Sequence, residues 1–159
     1  MQTKDSEPVS ETPLRRPLQD FLTFRIANLA NALNTQAADI LRRDCGISLN
    51  DWRVLSLATV PGLRTTRDMV AASGMDSAII SRALQRLEAA GLILTVRGTK
   101  DRREREIHLT AKGRALHADM VPTMQKRQDA LIALLDEGEQ RMVFTILDTL
   151  SEGAKRRDF

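Results

Sequence analysis

The chain has no tyrosine, one tryptophan and four phenylalanines in 159 residues, so aromatics make up only 3% of it. This scarcity argues against two ways of working. Proteins that hold single-stranded DNA or RNA stack bases on aromatic rings, and the most basic part of the chain, residues 64–105, contains no aromatic residue. A core built on stacked rings is equally out of reach, which leaves Leu, Ile, Ala and Met at helical spacing. Cys45 is the only cysteine, so no internal disulfide can form, and a reducing, cytoplasmic setting is expected. The two histidines, His108 and His117, lack metal-ligand spacing with Cys45 or with a carboxylate. No Gly-rich phosphate loop and no nucleophile elbow is present. Neither an enzyme nor a bound cofactor is expected. No apolar run is long enough to span a bilayer. The opening MQTKDSEPVSETP, rich in acids and prolines, reads as a polar, disordered tail over 1–13 rather than as a signal peptide or anchor.

What the chain does have is unevenly placed positive charge. Its formal net charge is +3, yet residues 64–105 hold nine basic and five acidic side chains. About a quarter of the sequence thus carries the entire positive excess, as a polyanion-binding face would. Charge alone does not separate that reading from a biased but merely solvated surface.

The apolar periodicity is helical almost throughout. Leu18, Leu22, Ile26, Leu29, Leu33, Ala37 and Ile40 recur every three or four residues, predicting one helix over 17–44 that closes at Gly46. Ser48 caps a second helix, broken at Pro61-Gly62. Thr65 begins a third, with Asp68 completing a capping box, and this helix ends at Ser73-Gly74. Asp76 opens a fourth, SAIISRALQRLEAA, stopped by Gly91 and carrying Ile80, Leu84 and Leu87 on its core face. LILTV and the alternating Ile107-His108-Leu109 read as two short strands around a basic turn. Thr110 caps a fifth helix to about Leu135, which Pro122 should kink or divide. Asp136 and Glu139 cap a last helix with Met142, Val143, Ile146, Leu147 and Leu150 on one side.

A helix–turn–helix followed by a basic hairpin has a definite use. In such a unit the second helix enters the major groove and offers its exposed face to the bases. Opposite the core face lie Ala78, Ser81, Arg82, Gln85 and Arg86, short or hydrogen-bonding side chains that permit close approach. Arg82 can bond bidentately to guanine and Gln85 to adenine. Arg86 is placed at a phosphate, as are Ser77 and the amides at the helix start. Ile79, near the exposed side, is expected to pack on a neighbouring helix, with contact to a thymine methyl as the alternative. Taken alone, this face could be an ordinary solvated surface. The wing changes the balance, because Lys100, Arg102, Arg103 and Arg105 surround a glycine turn, and arginine at a hairpin tip suits a narrow minor groove. His108 alternates outward from Ile107 and Leu109 and is expected to be exposed.

The runs ISLNDWRVLSL, TTRDMVAASGMDSAIISRALQRLEAAGLI and DRREREIHLTAKGRAL resemble the MarR family of bacterial transcriptional regulators. The likeness is carried by Ser81-Arg82, Leu87-Glu88, Gly91-Leu92, Asp101-x-Arg103 and Leu109-Thr110-x-x-Gly113 over about residues 46–117. It implies a mainly α fold with a small two- or three-stranded β wing: a winged helix–turn–helix over 46–110 flanked by dimerisation helices over 14–45 and 111–159. The resemblance further implies that Arg103 enters the minor groove with Asp101 holding it. Thr65, Ser77, Ala78, Ser81, Arg82, Gln85, Arg86, Lys100, Asp101, Arg102 and Arg103 are thus the candidate DNA-binding residues. Two positions depart from the family pattern: Thr95 stands where an arginine is frequent, and Arg105 where an apolar strand residue is frequent.

Apolar stripes at both chain ends are more than one small winged helix can bury, so a two-fold homodimer is expected. Its two recognition helices would lie roughly 34 Å apart on a near-palindromic site in double-stranded DNA. The family resemblance also implies release of DNA when a small aromatic acid, phenol or acyl-CoA thioester binds between the dimer helices and the DNA-binding lobe. Arg25, Trp52 and Arg53 are the candidate lining, although Trp52 also suits the core, and Arg25 an ion pair or solvent. Cys45 reads as a passive thiol, with oxidant sensing as the alternative. A non-sequence-specific architectural DNA-binding protein is the competing function.

Overall fold

The computed structural model describes residues 16–97 and 105–156. A 3-10 turn at Leu18–Asp20 precedes α1 (Leu22–Asp44), α2 (Leu49–Leu57), α3 (Thr66–Ser73) and α4 (Ser77–Ala89). Strands β1 (Ile93–Arg97) and β2 (Arg105–Leu109) follow, then α5 (Ala111–Ile132) and α6 (Glu137–Gly153). The fold is the expected one, mainly α with a two-stranded wing.

The caps explain most boundaries. Ser48, Thr65 and Asp136 each accept the amide three residues on, and Asp51, Asp68 and Glu139 return the bond. These three reciprocal pairs satisfy amides that a bare helix start would leave open. Gly74 and Gly91 stop α3 and α4 in left-handed conformation, at φ 65° and 68°, where a side chain would be strained. Two expectations need correction. The first helix does not run unbroken from residue 17, because Phe21 is extended between the 3-10 turn and α1. Of the kink or division expected at Pro122, the division does not occur: the fifth helix runs through it from Ala111 to Ile132. Pro122 and Ala118 are not buried, so the Ala118 carbonyl that loses its donor can turn to water.

The main core lies inside the winged helix. Val54, Leu55 and Ala58 of α2 meet Met69 of α3, Ile80, Ala83, Leu84 and Leu87 of α4, and Leu92, Ile93 and Ile107 of the wing. The three core positions expected on α4 are all buried, and Ala83 shares their face one turn on. A smaller cluster joins Leu41 of α1, Trp52 of α2 and Met120 of α5. Arg127 of α5 donates to the Leu33 carbonyl and to Gln36 Oε1 of α1, both at 2.8 Å.

The hairpin is antiparallel, with Ile93 opposite Leu109 and Arg97 opposite Arg105. One tight junction seats it under α5. Thr110 N–H donates to the Leu92 carbonyl at 3.1 Å, and Thr110 Oγ1 donates to the Gly91 carbonyl at 2.8 Å. The same hydroxyl oxygen accepts from Gly113 N–H at 3.0 Å. Gly113 is buried so close to Leu92 that a Cβ there would overlap the Leu92 carbonyl oxygen. The Gly91-Leu92 and Thr110-x-x-Gly113 steps are therefore two halves of one contact.

Candidate nucleic-acid interface

The face of α4 opposite the core is open. Ser77, Ala78, Ser81, Arg82, Gln85 and Arg86 are all exposed, while Ile79 is half-buried. Their shared face follows from the helical period, since burying Ile80, Ala83, Leu84 and Leu87 leaves 78, 81, 82, 85 and 86 outside. Two expected contacts are altered by partners within the chain. Arg86 donates to Asp51 of α2 through Nε at 3.0 Å and Nη2 at 2.7 Å, so its guanidinium is committed to the neighbouring helix rather than open to a phosphate. The Asp51 carboxylate draws the Arg86 pKa further upward through that hydrogen bond. At the helix start, Asp76 already accepts the Ala78 and Ile79 amides, at 2.7 and 3.4 Å, leaving those two amides unavailable to an anion. An adjacent carboxylate on the same chain outcompetes a diffusing one. Ser77 remains exposed.

Thr65 is half-buried at the start of α3, with its oxygen accepting from Asp68 N–H at 3.2 Å. The Thr65 hydrogen bonds hold the Asp68 carboxyl below the usual carboxylate range.

Lys100, Asp101, Arg102 and Arg103 lie outside the described residues. The base of the wing is described, and there the two departures from the family pattern meet. Arg105 Nη2 donates to Thr95 Oγ1 at 2.6 Å, and Thr95 donates through its amide and its hydroxyl to Glu88 of α4. Thr95 first, then the Arg105 charge, hold the Glu88 carboxyl low despite partial desolvation. A polar residue at 105 thus packs where an apolar one was expected, because Thr95 accepts from it. The network fastens the wing to α4, and sequence reading missed it. His108 is half-buried, not exposed as expected, because β2 lies against the residue 64 backbone and Arg64 Nη1 reaches His108 Nδ1 at 3.3 Å.

Behind the wing domain, Trp52 and Arg53 share a cavity of about 620 Å³ with Ser56, Leu57, Val60, Ser73 and Met75. Ser56 Oγ is buried there without a hydrogen-bond partner. Arg53 is held to α1 by Asn34 Oδ1 at 2.7 Å. Trp52 is buried and stacks on His117 of α5 with centroids 5.0 Å apart, so it serves the core as well as the cavity wall. Arg25 is not brought to this group. It is exposed on α1, nine residues before Asn34, about 14 Å along the helix axis. Cys45 is half-buried and its thiol donates to the Leu41 carbonyl at 3.2 Å. Among the described residues no His, Cys, Asp and Glu cluster could hold a metal, and no helix is long and apolar enough to cross a membrane.

Comparison with known proteins agrees with this geometry. The MarR family model matches residues 46–104, which takes in the helix–turn–helix and β1 and stops just before β2. The HTH-type transcriptional regulator FarR of Neisseria gonorrhoeae is 29% identical over 80% of this chain and 84% of its own length. A MarR/EmrR family transcriptional regulator from Acinetobacter sp. ADP1 superposes with TM-score 0.78 at 24% identity, over 85% of this chain and 95% of that one. The S. aureus MepR–DNA complex superposes with TM-score 0.76 at 21% identity, over 86% of this chain and all of MepR. The family and these relatives are transcriptional regulators, not enzymes. With a family-model match over residues 46–104 and an architecture shared along most of its length, this chain resembles the MarR family of transcriptional regulators.

Proposed function

We propose that the protein is a cytoplasmic repressor that binds a near-palindromic site in double-stranded DNA as a homodimer and leaves it when a small molecule binds. The observation that carries DNA reading is the α4 face: Ser81, Arg82 and Gln85 are exposed together, whereas Arg86 is held by Asp51. Arg82 reads guanine and Gln85 adenine by bidentate hydrogen bonds. Ala78 and Ser81 allow the approach, and Thr65 and Ser77 reach phosphates. Lys100, Arg102 and Arg103 extend into the adjacent minor groove, with Asp101 orienting Arg103.

Exposed apolar surface at both ends supports the dimer. Leu18, Leu22, Ile26 and Leu29 are 40–60% exposed before and within α1, and Met142, Phe144, Ile146 and Leu147 of α6 are 47–61% exposed. No residue of α6 is buried within a single chain. Two copies that interleave these helices remove both faces from water.

The Trp52–Arg53 cavity supports an effector of the aromatic-acid, phenol or acyl-CoA class. Its walls are largely apolar, and it offers one guanidinium and the unpartnered Ser56 hydroxyl. Occupation alters DNA binding only if it favours a spacing of the two α4 helices that the site does not match. Arg25 enters this reading only as a contribution from the second copy.

The test is selection of fragments from the source genome against random duplex at fixed salt. A regulator favours its selected sites by at least about 10³, with a footprint of two half-sites one helical turn apart. A flat affinity profile would establish the architectural alternative instead.

A further inference from the structure

Along the outer edge of β2 the chain builds a second cationic pocket, separate from the α4 face. Ala58 and Thr59 at the end of α2, Arg64, His108 and Leu109 of β2, and Arg114 of α5 line a cavity of about 310 Å³. None of the lining residues is a carboxylate. The Ile107 amide donates to the Arg64 carbonyl at 2.7 Å, which fixes the residue 64 backbone beside the strand.

The hydrogen bonds define the chemistry offered. A guanidinium only donates, so at 3.3 Å from Arg64 Nη1 the His108 Nδ1 must be the acceptor. The imidazole proton then sits on Nε2, 3.4 Å from Glu106 Oε2. Glu106 therefore faces the far nitrogen of His108 and is not part of the lining. Arg114 donates through Nη1 to the Leu109 carbonyl at 2.8 Å. Each guanidinium carries five donors in a planar fork, and one bond apiece leaves most of both forks available. Two such forks, brought from different elements to one cavity, repel each other when it is filled with water alone. A ligand with several negatively charged oxygens relieves that repulsion and can accept from both.

We propose that the Arg64–His108–Arg114 cavity binds a phosphate-type oxyanion, supplied either by the backbone of a bound duplex or by a free phosphorylated small molecule. Arg64 immediately precedes Thr65, a candidate phosphate contact, so a duplex lying on α3 and α4 runs close to this edge. The duplex source rests on the DNA-binding reading above, while the free-phosphate source does not.

The experiment has two arms on the full chain. In the first, inorganic phosphate is titrated at constant ionic strength while the backbone amides of Arg64, Thr65, Ile107 and His108 are followed by NMR. In the second, the salt dependence of binding to a random-sequence duplex is measured. Both are repeated for Arg64→Gln and Arg114→Gln, changes on two different elements that leave an amide able to donate. A free-phosphate site gives saturable shifts at those amides in the wild type and at least tenfold weaker binding in both variants. A duplex-phosphate site gives no saturable shift, and each variant lowers the slope of log K against log salt by about 0.9 for every phosphate no longer neutralised. Absence of saturable shifts together with unchanged salt slopes overturns the proposal, and the wild-type titration remains decisive for the free-phosphate source even if a variant folds poorly. A wild type that binds no duplex defeats the DNA-binding reading instead, while the phosphate titration still decides the pocket.

Discussion

Arg86→Ala separates a structural role from a DNA-binding one. The Asp51 carboxylate is 8% exposed and accepts two arginine N–H groups, while the Arg86 side chain is 51% exposed. A fully exposed pair contributes about 0–1 kcal/mol, and stranding one partner of a fully buried pair costs about 3–5 kcal/mol. With one partner buried and the other half in water, the expected loss is about 2 kcal/mol. For a chain of this size that is a fall in Tm of about 4–8 °C. Asp51→Ala should cost about 1 kcal/mol more, because Asp51 also closes the capping box of α2 with Ser48. The double variant should cost less than the sum, with a coupling of about 1–2 kcal/mol. Urea and thermal unfolding at one protein concentration measure these values, since the proposed dimer would make Tm concentration-dependent. The salt dependence of duplex binding is recorded for the same proteins. The reasoning requires Arg86→Ala to lose stability and keep its salt slope. An Arg86→Ala protein that unfolds like the wild type, yet loses about 0.9 from the slope, would show that Arg86 serves a phosphate after all.

Gly113→Ala should destabilise the fold by at least about 2 kcal/mol, far more than an ordinary helical Gly-to-Ala change, because the new Cβ would meet the rigid Leu92 carbonyl; denaturant unfolding checks this, and a stabilised variant would refute it. Burial lowers the pKa of His117 in the folded chain. The unfolded chain, titrating near about 6.5, then takes up the proton first, so this contribution is present above that pH and is lost as pH falls through the folded value. Between about pH 7.5 and 5 the wild type should therefore lose more stability than His117→Phe, which keeps a ring against Trp52; equal losses would contradict the assignment.

Helix boundaries were legible wherever a side chain caps its own helix. Ser48, Thr65, Asp76, Thr110 and Asp136 all cap as their sequence contexts indicate. The period of α4 separated Ile80, Leu84 and Leu87 from Arg82 and Gln85 without further help, because a regular helix fixes side-chain direction. What could not be read were partners far apart in sequence. Arg86 and Asp51 are 35 residues apart, and nothing local distinguishes an arginine held by a neighbouring helix from one facing solvent. Likewise Thr95 and Arg105 looked like two independent departures, yet they are partners in one network with Glu88. One signal was available: residues that break a family pattern on paired strands are candidates for contact with each other. Pro122 misled because its local effect depends on whether the freed carbonyl faces water, which the fold decides.

The claim at the centre of this account is that the exposed face of α4 reads base pairs. Arg82→Ala tests it most directly, with affinities measured on a selected site and on duplexes changed one base pair at a time. Preference at one position in each half-site should fall by about 1–3 kcal/mol while the protein stays folded. Unchanged affinity with unchanged preference at every position would contradict the placement of this helix against DNA.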